Sequence, residues 1–418
     1  MNYNINDIFS PRSFPENTYI SRKINGHETI DVKFQKALSM KGNLIFVSGA
    51  SKSGKTVLCR RVIGYEHSVN LSGNQLASKN DFWAHIAEQI PLSDSVTISN
   101  ESQTAVNSES TEELGLGVTV ANLGFSHKKA QDTVSGTQVT VAKARTERQI
   151  IKYLIENNKV LVIDDFHYAS DEVKLYIART LKTELFNGLK AVIISLPYKS
   201  DEAIRYNPDL IGRTTSIDIP AWQLTELKAI ATKGFNLLNK NVSDRLLDKI
   251  ALESIASPQL MQENCFNLAY YLQESSNIPD DAAIKYIFQE TASNYHGYYA
   301  EIIDNIKKGP SQGQGRRTEY LLTGKQSTAD IYELILLALK TDPPVSKIKV
   351  DELKARIKKL LAENVDCPST LTITSTISKI TKIVQKMLPN MEVLAYKEKY
   401  LYILDPFLLF YLRWHEET

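Results

Sequence analysis

Up to about residue 220 the apolar positions follow two alternating periods, and beyond it one. Residues 43–48 (NLIFVS) are β-branched, aromatic and apolar, and Gly42 and Gly49 bound them, which predicts a buried strand. Residues 56–63 then carry apolar side chains at helical spacing. A polar turn is expected around Asn70–Asn74, followed by a helix with an Asn80/Asp81 start signal and Phe82, Trp83, Ile86 and Ile90 on its apolar face. The rhythm resumes with helix 146–157, strand 159–163 ending at Asp164-Asp165, helix 171–187, strand 190–196, a short helix near 201–206 and strand 214–219. Strands alternating with helices predict an α/β unit whose parallel sheet is covered on both faces.

Beyond Pro220 the period is helical only, over 223–238, 243–256, 258–273 and 280–294, so a helical subdomain is expected. Residues 307–317 (KKGPSQGQGRR) lack any apolar period and read as a linker. Helices 329–340, 350–362 and 372–387 follow, then strand-like runs 391–396 and 400–404 around Lys397-Glu398-Lys399, and the chain closes on DPFLLFYLRW. Three helices and a β-ribbon predict a winged helix. Residues 92–145 break the rhythm: they are rich in Ser, Thr, Asn and Gly, and alternation in LGLGVTVANLGFSH and TQVTVAKA predicts an inserted β-hairpin.

Composition narrows the class. A chain of 418 residues suggests two to four domains at roughly 100–200 residues each. No apolar run is long enough to span a bilayer. Lys and Arg number 49 against 48 for Asp and Glu, so no global field announces a nucleic-acid partner. Three widely spaced cysteines, Cys59, Cys265 and Cys367, form neither a disulfide framework nor a zinc pattern, and a reducing cytoplasm fits them. The N-terminus shows no basic and apolar secretory signal.

The chemistry begins at Gly49-Ala50-Ser51-Lys52-Ser53-Gly54-Lys55-Thr56, which matches G-x-x-x-x-G-K-[ST] after an apolar strand and at the start of a helix. Such a loop turns its N–H groups toward phosphate oxygens, with the helix N-terminus adding partial positive charge. Lys55 is expected to reach the β- and γ-phosphates of ATP, and the Thr56 hydroxyl to ligate Mg²⁺. The matching acids stand at the end of Val160-Leu161-Val162-Ile163-Asp164-Asp165. Asp164 is the metal-side carboxylate, acting through water, and Asp165 the candidate that orients or deprotonates the attacking water. Ser195, at a strand end, is either a γ-phosphate sensor or an ordinary strand-terminal serine. His167 either approaches the γ-phosphate or only opens a capping turn. Arg205 and Arg213 flank the NPDLIG turn, and either one can be an arginine finger for a neighbouring subunit or a surface residue. In helix 372–387, Lys379, Lys382 and Lys386 share a face, which suits either phosphate contacts on double-stranded DNA or solvent. Residues 341–418 hold 12 basic and 10 acidic side chains, too balanced for a strong footprint.

Taken together, GASKSGKT, VLVIDD, the strand with Ser195, the Arg213 position and the lid residues Ser257-Pro258-Gln259 resemble the AAA+/STAND P-loop ATPases. More narrowly, they resemble the Orc1/Cdc6-like and TniB/TnsC-like ATPases. YLYILDPFLLFYLRW is similar to the winged-helix terminus of archaeal-type STAND ATPases, and the resemblance spans most of the chain except 92–145. It implies a P-loop domain over 1–220, a helical lid over 221–306, a linker over 307–328 and a winged helix over 329–418. It also implies that residues 17–22, with Arg22, border the adenine. Asp165 where the family usually has glutamate, and Gln259 where many members offer arginine, imply slow or partner-stimulated hydrolysis. The expected function is an ATP-dependent switch in which ATP closes the lid and winged helix over the P-loop domain, as a homo-oligomer with an effector protein partner. Such proteins commonly serve bacterial antiphage systems. The alternatives are a DNA-binding ATPase of loader or transposition-regulator type and a non-hydrolysing nucleotide-binding scaffold.

Overall fold

The computed structural model describes residues 3–24, 26–91, 96–98, 139–141, 146–196, 210, 212–274, 279–310, 317–324, 327–389 and 391–415. The chain opens with an arm: helix α1 (Ile5–Ile8), the two-residue antiparallel pair β1 (Lys23–Ile24) and β2 (Glu28–Thr29), and helix α2 (Ile30–Ser39). The Thr29 hydroxyl caps α2 by accepting from the Val32 N–H, so the sequence builds the helix start locally. Then come β3 (Leu44–Ser48), α3 (Lys55–Ile63), β4 (Ser68–Ser72) and α4 (Lys79–Glu88). The short antiparallel strands β5 (Val96–Ile98) and β6 (Val139–Val141) are all that is described between residues 92 and 145. The unit continues through α5 (Glu147–Glu156), β7 (Val160–Asp164), α6 (Asp171–Phe186), β8 (Lys190–Ser195) and β9 (Thr214–Asp218).

Five of these strands form one parallel sheet in the order β4-β7-β8-β3-β9. Its side chains alternate between two cores, as the two-residue period of a strand requires. Leu44, Phe46, Leu161, Ile163, Ala191 and Ile193 pack with α4, α5 and α6. Ile45, Val47, Val160, Val162, Val192 and Ile194 pack with α2 and α3 on the other face. The expected α/β unit is therefore present. The arm's α1, β1, β2 and α2 have no counterpart among the expected elements, and the polar turn expected around Asn70–Asn74 is largely strand β4 at the sheet's edge. Only Val69 and Leu71 of β4 are buried, so a Ser/Asn-rich edge strand leaves a weak apolar signal. The Gln89 amide covers that edge, accepting from the Asn70 N–H and donating to the Asn70 carbonyl, both at 2.8 Å. The short helix expected near 201–206 lies outside the described residues.

After the sheet come α7 (Leu224–Leu237), α8 (Asp244–Glu253), α9 (Pro258–Glu274), α10 (Asp281–Ser293) and α11 (His296–Lys308). The C-terminal part holds the two-residue pair β10 (Tyr320–Leu321) and β11 (Thr328–Ala329), then α12 (Ile331–Lys340), β12 (Lys347–Lys349), α13 (Val350–Leu360) and α14 (Thr370–Met387). β13 (Leu394–Lys397), β14 (Tyr400–Ile403) and α15 (Pro406–Trp414) complete it. The winged helix is there with a third strand, in the order β12-β14-β13. Glu398 and Lys399 both have positive φ, as a two-residue type I′ hairpin needs. Helix α11 has no counterpart among the expected elements, although Tyr299, Ile302, Ile303 and Ile306 follow the helical period and are buried. Through it one apolar core runs from Leu227 in α7 to Leu412 in α15. Arg317 ties the segment's ends: it donates to the Lys307 carbonyl at 2.7 Å and pairs with Asp330. Among the described residues no helix is long and apolar enough to cross a membrane.

Candidate nucleotide site

Where β3 ends, the chain turns through residues 49–54 into α3. Gly54, the N-cap of α3, has φ +93°, a left-handed conformation that glycine adopts without penalty. Lys55 Nζ folds back across the loop and donates to the carbonyls of Gly49 (3.0 Å) and Ala50 (2.8 Å). Burial pulls its ammonium below the usual lysine range, and the charges of Asp164 and Asp165 oppose that pull. The buried Ser53 hydroxyl finds no hydrogen-bond partner among the described residues.

Strand β7 brings the acids to the same end of the sheet. Thr56 Oγ1 donates to Asp164 Oδ2 at 2.6 Å, and the Asp165 N–H donates to Asp164 Oδ1 at 2.8 Å. Asp165 has φ 53°, and burial, followed by the neighbouring Asp164 charge, raises its carboxyl above the usual range. That turn closes against Gly73: a Cβ there would lie 2.1 Å from the Asp165 carbonyl oxygen. A hydroxyl and a carboxylate in contact are the hard oxygen donors Mg²⁺ takes, with water and phosphate oxygens filling its remaining positions. The described residues contain no cluster of three or more His, Cys, Asp or Glu that could cage a metal alone.

A cavity of about 500 Å³ opens over these groups. Its lining joins the charged and polar Lys52, Lys55, Thr56, Asp164 and Asp165 to the aromatic and apolar Phe14, Tyr19, Ile30, Trp222 and Ile230. A lining that mixes apolar rings with anion-binding groups suits a base joined to phosphates. Pro258, Gln259 and Gln262, at the start of α9, line the lid side. Gln262 is fixed there by Thr18, to whose hydroxyl it donates at 2.8 Å. The turn into α9 holds Ile255 and Ala256 at φ 48° and 54°, a conformation that strains a β-branched residue.

The other expected residues fall into different places. Arg22 borders the cavity, but its Nη2 is engaged by the carbonyls of Pro220 (3.0 Å) and Ala221 (2.9 Å) and by Glu226 (2.9 Å). Ser195 ends β8 in register with Ser48, is buried, and donates to the Leu196 carbonyl at 3.4 Å; it does not line the cavity. Arg213 precedes β9, and its carbonyl accepts from the Leu44 N–H at 2.8 Å, at the N-terminal end of the parallel strands, opposite the end that carries the phosphate loop. At about 3.3 Å per residue that is roughly 16 Å from its own nucleotide loop. Its guanidinium lies over the exposed Phe186 ring at 5.9 Å. His167 is buried beside Tyr168, with ring centroids 4.0 Å apart. Arg205 lies outside the described residues.

Four residues the sequence did not single out complete the site. Gly73 and Trp222 carry no motif. Phe407, at the start of α15, lies under Lys52 Nζ at 5.9 Å, and Tyr168 lies beside the Glu392 backbone. The winged helix therefore touches both the phosphate loop and the turn after Asp165.

The chain has the P-loop NTPase fold, with a helical lid and a C-terminal winged helix. No family model matches the chain, and no curated protein matches it. Solved structures similar to it include a Walker-type ATPase of Pyrococcus abyssi (13% identity, TM-score 0.49, 92% of this chain and 94% of that one). The ORC2 protein of Aeropyrum pernix is another (12%, TM-score 0.46, 96% of each). So is Cdc6p from Pyrobaculum aerophilum (10%, TM-score 0.42, 98% and 97%). What defines the class is the chain's own geometry: strand, loop, helix and paired acids around one cavity.

Proposed function

We propose that this chain is an ATP-binding, slowly ATP-hydrolysing switch of the AAA+/STAND type that controls assembly or partner recognition. One observation carries the reading: Phe407 lies under Lys52, with Tyr168 beside the Glu392 backbone, so the winged helix reaches the phosphate site. The winged helix and a triphosphate thus compete for one cation, Lys52, so ATP is expected to loosen the winged helix rather than close it over the P-loop domain as the resemblance implied. Bound ATP and Mg²⁺ supply the phosphoanhydride and the charge that neutralises it. Lys55 compensates phosphate charge, Thr56 and Asp164 hold the ion, and Asp165 orients water. Arg213, remote from its own site, serves a neighbouring subunit in a homo-oligomer. An effector protein and an antiphage role complete the proposal on resemblance alone, and a cytoplasmic setting on the three widely spaced cysteines.

The test is calorimetric ATP binding together with phosphate release for wild type, Lys55→Ala and Asp165→Asn. Lys55→Ala is expected to lose productive ATP use, and Asp165→Asn to bind ATP but turn it over slowly. Binding without turnover in wild type would leave a nucleotide-binding scaffold.

A second reading, a DNA-binding ATPase, is favoured by the exposure of Lys379, Lys382 and Lys386 on α14, opposite its buried Ile373, Ile377, Ile380 and Val384. Salt-dependent binding to duplex DNA separates it from the first.

A further inference from the structure

Only residues 219–223 join the sheet to the lid, and they are tied on both sides. Trp222 Nε1 donates to the Ser53 carbonyl in the phosphate loop at 2.9 Å. The Arg22 guanidinium lies over the Trp222 ring at 4.3 Å. Its Nη2 donates to the carbonyls of Pro220 and Ala221 and pairs with Glu226, in the first turn of α7, at 2.9 Å. The Arg22 side chain is 4% exposed, and its Nε and Nη1 find no hydrogen-bond partner among the described residues. Burial without full pairing costs free energy, so the surrounding contacts hold this guanidinium in place. An unbroken series of contacts therefore runs from lid helix α7 through Arg22 and Trp222 to the nucleotide loop.

The contact falls where the loop is softest. A peptide unit is planar, so fixing the Ser53 carbonyl also fixes the direction of the Gly54 N–H. Gly54, at φ +93°, has no side chain to restrain it, and glycine visits both signs of φ freely. An outside hold is what selects one orientation.

We infer that Trp222, braced by Arg22, is a positioning residue for the nucleotide: it holds the Ser53–Gly54 peptide in its phosphate-binding orientation and links that peptide to the angle of the lid. The inference rests on the reading of the cavity as an ATP site.

Trp222→Phe keeps a smaller ring for Arg22 and removes the N–H donor together with part of the ring surface; Arg22→Lys keeps the charge and removes the planar fork. Nucleotide Kd by calorimetry with ATP and Mg²⁺, KM and kcat would be measured for wild type, both variants and the double variant, with circular dichroism and melting as folding checks. Trp222→Phe is expected to raise Kd and KM about fivefold, the equivalent of about 1 kcal/mol, with kcat within about twofold. The double variant should be no weaker than the weaker single one, because both changes cut the same series of contacts. Should Trp222→Phe fold poorly, a Trp83→Phe, Trp414→Phe background decides: it leaves Trp222 as the one tryptophan, whose emission should change on saturation with ADP. Unchanged Kd in a folded Trp222→Phe, multiplying effects in the double variant, or unchanged emission on saturation would each overturn the inference. A wild type that binds no nucleotide would overturn the ATP-site reading itself, and the inference with it.

Discussion

Replacing Arg413 by methionine should detach the end of α15 from the lid at a large and calculable cost. Arg413 Nε donates to Glu253 Oε2 at 3.0 Å and Nη2 to Glu253 Oε1 at 2.7 Å, while Nη2 also reaches Asp342 at 2.6 Å and Nη1 the Lys340 carbonyl. The two paired side chains are 7% and 6% exposed. Without Arg413, Glu253 at the end of α8 keeps only the Trp414 Nε1 donor at 2.8 Å, and a buried carboxylate is left without its counter-ion. Losing one member of such a pair costs about 3–5 kcal/mol, far more than the pair's net worth, because the remaining charge stays desolvated. Asp342 is 80% exposed and simply resolvates. Adding Glu253→Gln removes the stranded charge while leaving an acceptor for Trp414, so the double variant should lie within about 2 kcal/mol of wild type. Urea unfolding followed by both tryptophan emission and far-ultraviolet circular dichroism reads the differences. A cost below about 1 kcal/mol for Arg413→Met, or a double variant no more stable than the single, would refute the reasoning.

Gly73→Ala drives a Cβ into the Asp165 backbone, 2.1 Å from its oxygen, so turnover should fall roughly a hundredfold as the acid turn shifts; unchanged turnover would show that the turn gives way freely. Burial raises the Asp405 carboxyl pKa, against hydrogen bonds from Tyr299 and the Phe407 N–H and the Lys52 charge. The folded chain therefore holds a proton that the unfolded chain releases, and stability should decline as pH rises from the ordinary carboxylate range through the raised value. Asp405→Asn keeps the cap and should flatten that decline in melting curves; an unaltered slope would remove Asp405 as its source. If duplex DNA binds, changing Lys379, Lys382 and Lys386 together to alanine should reduce the salt slope by about 2–3 in fluorescence anisotropy titrations, and an unchanged slope would place the contact elsewhere.

What the sequence made legible follows from how strongly each element is encoded locally. The phosphate loop and the strand before Asp164 stand out because a sheet covered on both faces needs unbroken apolar runs, and a loop that binds phosphate needs glycine at fixed offsets. β4 was hidden because an edge strand pays for only half its burial, leaving Val69 and Leu71 among serine and asparagine. α11 was hidden by Gly297 and by the absence of a side-chain cap at Tyr295. Trp222, Gly73 and Phe407 were illegible for a different reason. Each acts through a contact made in space, with Ser53, Asp165 and Lys52, and no short-range pattern marks such a contact. Arg22 was placed at the site only through the family resemblance, and its engagement by Pro220, Ala221 and Glu226 depends on a bend nearly two hundred residues away.

The claim that the nucleotide and the winged helix share one site is tested most directly by amide hydrogen exchange with and without saturating ATP and Mg²⁺. Competition for Lys52 predicts faster exchange over 391–407 and at Tyr168 in the ATP-bound wild type, together with slower exchange in the phosphate loop. Lys55→Ala should show neither change. Phosphate-loop amides that slow on binding ATP, while 391–407 and Tyr168 exchange as before, would contradict it.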